Sequence, residues 1–208
     1  MKHGLRILMG SVFAAALSAT SASQAGPIPY PNVGTPNPVT YTFTAPVDGT
    51  ITAYFAGSTA SYDEQVGLLV NGVSTGVVGL DDHSSMLGQS LNLTPLGVHA
   101  GDVLTFVDYV YTSGNTWYSN PALNVDMGNH VYSTDAVANQ VYSGSPAGTY
   151  VAFEDLEFPH SDYNYFDDTF IFTDNGLPIV GAPGPMPGAG VAGLAVLALY
   201  GAARLRRA

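Results

Sequence analysis

Tyr150–Thr173 reads YVAFEDLEFPHSDYNYFDDTFIFT. Its two ends, Tyr150 to Leu156 and Thr169 to Thr173, are rich in aromatic and β-branched residues, which favour strands because they fit a pleated surface. Between Phe153 and Phe172 lie six carboxylates (Glu154, Asp155, Glu157, Asp162, Asp167 and Asp168) and no lysine or arginine. Two carboxylates about 4 Å apart repel by roughly 4 kcal/mol at an effective dielectric near 20. Two strands joined by so acidic a loop need something to neutralise it.

The rest of the chain sharpens that need. All 16 Asp and Glu fall between Gly26 and Ala203, where there is no Lys or Arg at all. The five basic residues sit at the two ends: Lys2, Arg6, Arg204, Arg206 and Arg207. Phosphate binding needs Lys or Arg, so the middle of the protein is no nucleic-acid partner. Inorganic cations are the obvious counter-charge. Cysteine is absent, which removes disulfides, thiol catalysis and thiolate zinc sites.

Outward from the acidic loop, the pattern stays β. Val39, Tyr41 and Phe43 alternate with polar residues, as do Ile51, Ala53 and Phe55 after Asp48-Gly49, so this stretch reads as a hairpin-like pair of half-buried strands. Asn71-Gly72 is a strong short hairpin signal. A further strand, Val103 to Tyr111, follows the Gly101-Asp102 turn, whereas Thr112 to Thr149 is looser. Short strands about ten residues apart predict an all-β antiparallel β-sandwich, jelly-roll-like, over residues 39–178. Residues 26–38 read as a Pro-rich extended leader and 179–184 as a linker.

Calcium suits the acidic loop, because it takes six to eight oxygens from carboxylates, amides, carbonyls and water. The spacing is not an EF-hand. With Asp162 and Asn164 as positions one and three, the sixth position is Asp167 rather than Gly and the twelfth is Thr173 rather than Glu. Turn-forming, solvated charge is the other reading, since Asp and Asn favour turns on their own account.

A resemblance bears on this choice. Phe153-Glu154-Asp155-Leu156, then Ser161-Asp162-Tyr163-Asn164 and Asp167-Asp168, resembles the signature of the DUF4114 family, bacterial secreted β-domains of unknown biochemical role. The likeness spans about residues 132–174, with Tyr165 and Phe166 interrupting the Asp-rich core. It implies Glu154, Asp155, Asp162, Asn164, Asp167 and Asp168 as calcium ligands.

Smaller acidic clusters, Ser61-Tyr62-Asp63-Glu64-Gln65 and Asp81-Asp82-His83, read as exposed turn charge or, as the alternative, as holders of a second cation. The histidines share no ligand-like spacing. Trp117, near Tyr111 and Tyr118, reads as packing or as a sugar-stacking platform. No G-x-S-x-G, H-E-x-x-H or phosphate-binding loop occurs, and no carboxylate pair is marked as a glycosidase pair, so the sequence predicts no enzyme.

Both ends read as addresses. Residues 1–25 have a charged start, an apolar core from Ile7 to Leu17 and a Ser23-Gln24-Ala25 cleavage site, the three parts of a signal peptide with a helical core. At the other end, Gly188 to Ala203 gives 16 uncharged residues, roughly 24 Å as a helix, before the 204–207 arginine cluster. Those arginines place the acidic domain outside the cytoplasmic membrane. The proline motif, hydrophobic helix and arginine end of residues 185–208 resemble the PEP-CTERM sorting tail, with Pro185-Met186-Pro187 for the usual Pro-Glu-Pro; a plain C-terminal anchor would look similar.

That resemblance implies export from a Gram-negative bacterium and transient or stable inner-membrane anchoring. It also implies processing by an exosortase, a cell-surface or extracellular-matrix location, and association with exopolysaccharide and biofilm. The combined expectation is a non-enzymatic structural or adhesive protein with a calcium-stabilised β-domain. A calcium-dependent carbohydrate-binding module is the alternative, and a secreted hydrolase the third reading.

Overall fold

The computed structural model describes residues 26–183; the expected signal segment and sorting tail, with their expected helices, lie outside the described residues. In chain order the strands are β1 (Tyr41–Thr44), β2 (Ile51–Ser58), β3 (Glu64–Val70), β4 (Val73–Gly79), β5 (Ser90–Asn92) and β6 (Val103–Val110). They continue with β7 (Asn115–Tyr118), β8 (Val131–Ala136), β9 (Gly148–Phe153), β10 (Asp168–Asp174), β11 (Leu177–Pro178) and β12 (Val180–Pro183). Among the described residues the helical content is one 3-10 turn, Pro121–Leu123, and no helix is long and apolar enough to cross a membrane.

The strands form two antiparallel sheets. One has the order β12-β1-β6-β3-β4, with β7 also on β6; the other has β5-β2-β10-β9-β8, with β11 also on β10. Alternating side chains turn one face of each sheet inward. Phe43, Val66, Leu68, Leu104 and Phe106 from the first meet Ile51, Phe55, Val151, Phe153, Phe170 and Phe172 from the second in one shared core. Stacked Phe106 and Phe172, with ring centroids 3.9 Å apart, join the layers at the centre. The described residues thus form an all-β sandwich.

Asn71-Gly72 turns β3 into β4 as expected, with Val70 opposite Val73 and both turn residues at positive φ (51° and 80°). The expected hairpin of residues 39–55 is corrected. β1 pairs with β6 and β12, whereas β2 pairs with β10 and β5 in the other sheet. Alternation marks which face is buried, and both strands do face one core, but from opposite sides. The 179–184 linker is corrected as well: Val180–Pro183 is β12, in register with Tyr41–Thr44.

The leader makes no strand, yet it is docked. Tyr30 is buried against Tyr132 and Tyr165. Tyr165, from the acidic loop, accepts a hydrogen bond from the Asn37 N–H (2.8 Å) and donates one to the Asn129 carbonyl (2.9 Å). These residues cover the outer face of the second sheet around Tyr150, Ala152 and Ile171. Strands β9 and β10 are therefore buried on both faces. Burying each such aromatic contributes about 1.5–3 kcal/mol, which holds both ends of the acidic loop rigid.

Candidate metal centre

Three strands carry a carboxylate in phase with their core-facing side chains. Along β3, Glu64 precedes Val66 and Leu68; along β6, Asp108 follows Leu104 and Phe106; along β10, Asp168 precedes Phe170 and Phe172. A period of two puts each acid on the inner face. Register then gathers them. Glu64 lies opposite Val110 and Val66 opposite Asp108, making Glu64 and Asp108 diagonal neighbours on one sheet face. Asp168 stands on the facing sheet, opposite Phe153 and Ser58.

At this end of the sandwich, one oxygen from each of Glu64, Asp108 and Asp168 lies within 4.8 Å of the others. All three residues are 0% exposed, and none of their six carboxylate oxygens makes a hydrogen bond of good geometry, although Asp155 lies near Glu64 and the Thr169 N–H near Asp168. Orphaned buried charge of this kind is far costlier than a partnered group. Burial, then the charges of Asp108 and Asp168, push the Glu64 carboxyl up to about 12. Burial raises Asp108 and Asp168 well above their ordinary values, and neighbouring carboxylates add to the effect. With no lysine or arginine between Gly26 and Ala203, the described chain offers these acids no permanent cation.

The loop residues implied by the family resemblance divide between two places. Asp168 belongs with Glu64 and Asp108. Glu154, Asp155 and Asp167 form a second buried group, again with oxygens within 4.8 Å of one another. Asp155 also faces Glu64 closely enough for each to act on the other's titration, so the two groups adjoin. Asp162 and Asn164 sit at the rim, where the Asp162 oxygens accept from the Asn164 backbone N–H and side-chain amide (2.9 Å each).

Two aromatic side chains position this second group from behind. Trp117 donates its indole N–H to the Asp155 carbonyl (2.7 Å) and stacks on His130, with ring centroids 3.7 Å apart. His130 Nδ1 lies 2.8 Å from the Glu154 carbonyl oxygen and Nε2 lies 3.0 Å from Asp126 Oδ2. Phe158 closes the other face of the imidazole. Trp117 is fully buried, so the sugar-platform reading of this residue is corrected: its face is spent on His130.

Glu64 and Asp108 were not legible as site residues. Glu64 reads as turn charge beside Asp63, and Asp108 as one polar residue in an apolar strand. The signal available was phase: E-x-V-x-L, L-x-F-x-D and D-x-F-x-F each put an acid where alternation demands an apolar residue. Asp82, also read as turn charge, is buried too. It is already committed, accepting from the Glu64 N–H (2.9 Å) and the Ser58 hydroxyl (3.2 Å).

An all-oxygen donor set fits a hard divalent cation; zinc in structural sites is held by Cys and His. Calcium accepts irregular geometry and many carboxylates, whereas magnesium demands a near-ideal octahedron and keeps its waters. No family model, curated protein or solved structure matches this chain.

Proposed function

We propose that this is an exported, non-enzymatic structural or adhesive protein of the cell envelope or extracellular matrix, with a jelly-roll-like β-domain clamped by calcium. One observation carries the reading: Glu64 and Asp108 from one sheet and Asp168 from the other converge as buried, unpartnered carboxylates. A calcium ion among them turns mutual repulsion into a cross-link between the two layers. The sandwich is then stiff where calcium is plentiful and loosened where it is scarce. Residues 1–25 and 185–208 supply the address, through export and exosortase-type sorting at the membrane.

The clamp predicts that ligand occupancy appears as stability. At a calcium concentration about a hundredfold above Kd the gain is about 2.7 kcal/mol, or roughly 5–10 °C in Tm for a domain of this size. Thermal melts of the purified protein in EDTA, calcium and magnesium check this. A rise specific to calcium, lost in Asp108→Asn, supports the clamp. Equal midpoints in EDTA and calcium would sink it.

A further inference from the structure

We infer that a second divalent-cation site, open to solvent, lies beside the buried one and is built by Glu154, Asp155 and Asp167. The inference rests on the calcium-clamp reading and deepens it from one ion to an adjoining pair.

Glu154 is the observation that goes beyond an acidic cluster. It is 0% exposed, and neither of its carboxylate oxygens makes a hydrogen bond of good geometry, although the Ser161 hydroxyl and the Tyr165 backbone N–H lie near enough to act on it. One of its oxygens lies within 4.8 Å of oxygens from both Asp155 and Asp167. Asp167 spends one oxygen on the Asp155 backbone N–H (3.2 Å), which fixes the two acids relative to each other. The carbonyls just before and at Asp155 are held by His130 and Trp117, so the ligands come on a prepared backbone.

The two sites differ in access. The Glu64–Asp108–Asp168 group lies sealed between the sheets. Asp155 and Asp167 instead line a cleft of about 270 Å³, with Leu156, Asp162 and Asn164 from the same loop and a wall of Thr59, Ala60, Ser61 and Tyr62. That wall is the crossover from β2 to β3, tied to the loop by the Thr59 N–H to the Phe166 carbonyl (3.2 Å). Glu154, fully buried, does not line the cleft but keeps an oxygen within 4.8 Å of both acids that do. A calcium ion here has protein oxygens behind it and free positions towards the cleft, where water completes its six to eight ligands. Asp155, facing Glu64, joins this ion's shell to that of the buried ion.

Calcium titration calorimetry on the full chain, beside terbium luminescence decay in light and heavy water, tests this. Wild-type protein should bind two ions, the outer carrying at least two waters and the inner at most one. Glu154→Gln should bind one ion and keep the calcium-dependent rise in Tm. One ion in wild type, with Glu154→Gln unchanged, overturns the second site and leaves the clamp standing. No calcium binding by wild type overturns both. Should Glu154→Gln fail to fold, Asp167→Asn substitutes, and the wild-type stoichiometry and water count decide the matter alone.

Discussion

Strand β10 carries an aspartate at each end, Asp168 and Asp174, both fully buried and in phase with Phe170 and Phe172. They are the same residue on the same face of the same strand. At the far end, Asp174 makes a local contact, its Oδ2 accepting from the Val47 N–H (3.3 Å) in the connection between β1 and β2. Burial raises its pKa, and that hydrogen bond partly offsets the rise. The packing there is close, since a Cβ on Gly49 would meet Asp174 and Asn175 side-chain atoms at under 3 Å. Asp168 has no hydrogen-bond partner and two other carboxylates beside it. One acid closes a turn; the other belongs to a set of converging carboxylates with no hydrogen-bond partner among the described residues. Burial alone does not mark an aspartate as a candidate ligand; convergence without partners does.

The comparison breaks most directly by neutralising each end. Asp168→Asn should abolish the calcium-dependent rise in Tm, a loss of roughly 5–10 °C at saturating calcium. In EDTA the same variant should melt at or above the wild-type temperature, because burial and neighbouring carboxylates penalise the ionised Asp168 and the amide removes that penalty. A large fall in EDTA would show that Asp168 holds the fold through a direct contact.

A pH series sharpens it next. Without a bound cation, Asp167 is pushed up to about 8 and Glu154 to about 7, in both cases first by burial. Their ordinary values are 3.8 and 4.5. The folded protein therefore holds protons that the unfolded chain has lost, and this stabilisation is present at low pH and lost as pH rises through about 8. In EDTA, Tm should fall by about 3 °C or more between pH 5 and pH 8, the size expected for roughly 1 kcal/mol. Saturating calcium should reverse the slope, since the ion competes with those protons. A Tm in EDTA that climbs over this range would contradict the buried-carboxylate account.

The smallest effect belongs to Asp174→Asn. The amide oxygen can still accept from Val47, so the cost should stay within about 1 kcal/mol, a few degrees in Tm. Its calcium response should equal wild type. A weakened response would mean that both ends of β10 are coupled to the cation.

Much of the fold was legible along the chain because it depends on near neighbours. The Asn71-Gly72 turn needs only two residues that tolerate positive φ, and the alternation through Phe170 and Phe172 needs only a pleat. The site was legible in part. Dense acid around Glu154–Asp168 pointed to the end of the molecule where the buried carboxylates gather, but not to Glu64 or Asp108, while Asp162 and Asn164 line the same cleft as Asp155 and Asp167. Asp162 and Asn164 satisfy each other locally, as Asx turns do.

By itself, the sequence determined an all-β chain whose acidic middle has no lysine or arginine to answer its carboxylates. Only the tertiary structure decided which carboxylates meet. The β3–β6 register makes Glu64 and Asp108 diagonal neighbours, and packing of the two sheets brings Asp168 over them. The physical reason is that a strand's pattern states which face is buried, whereas its partner and the layer opposite are set by long-range packing that no local stretch encodes.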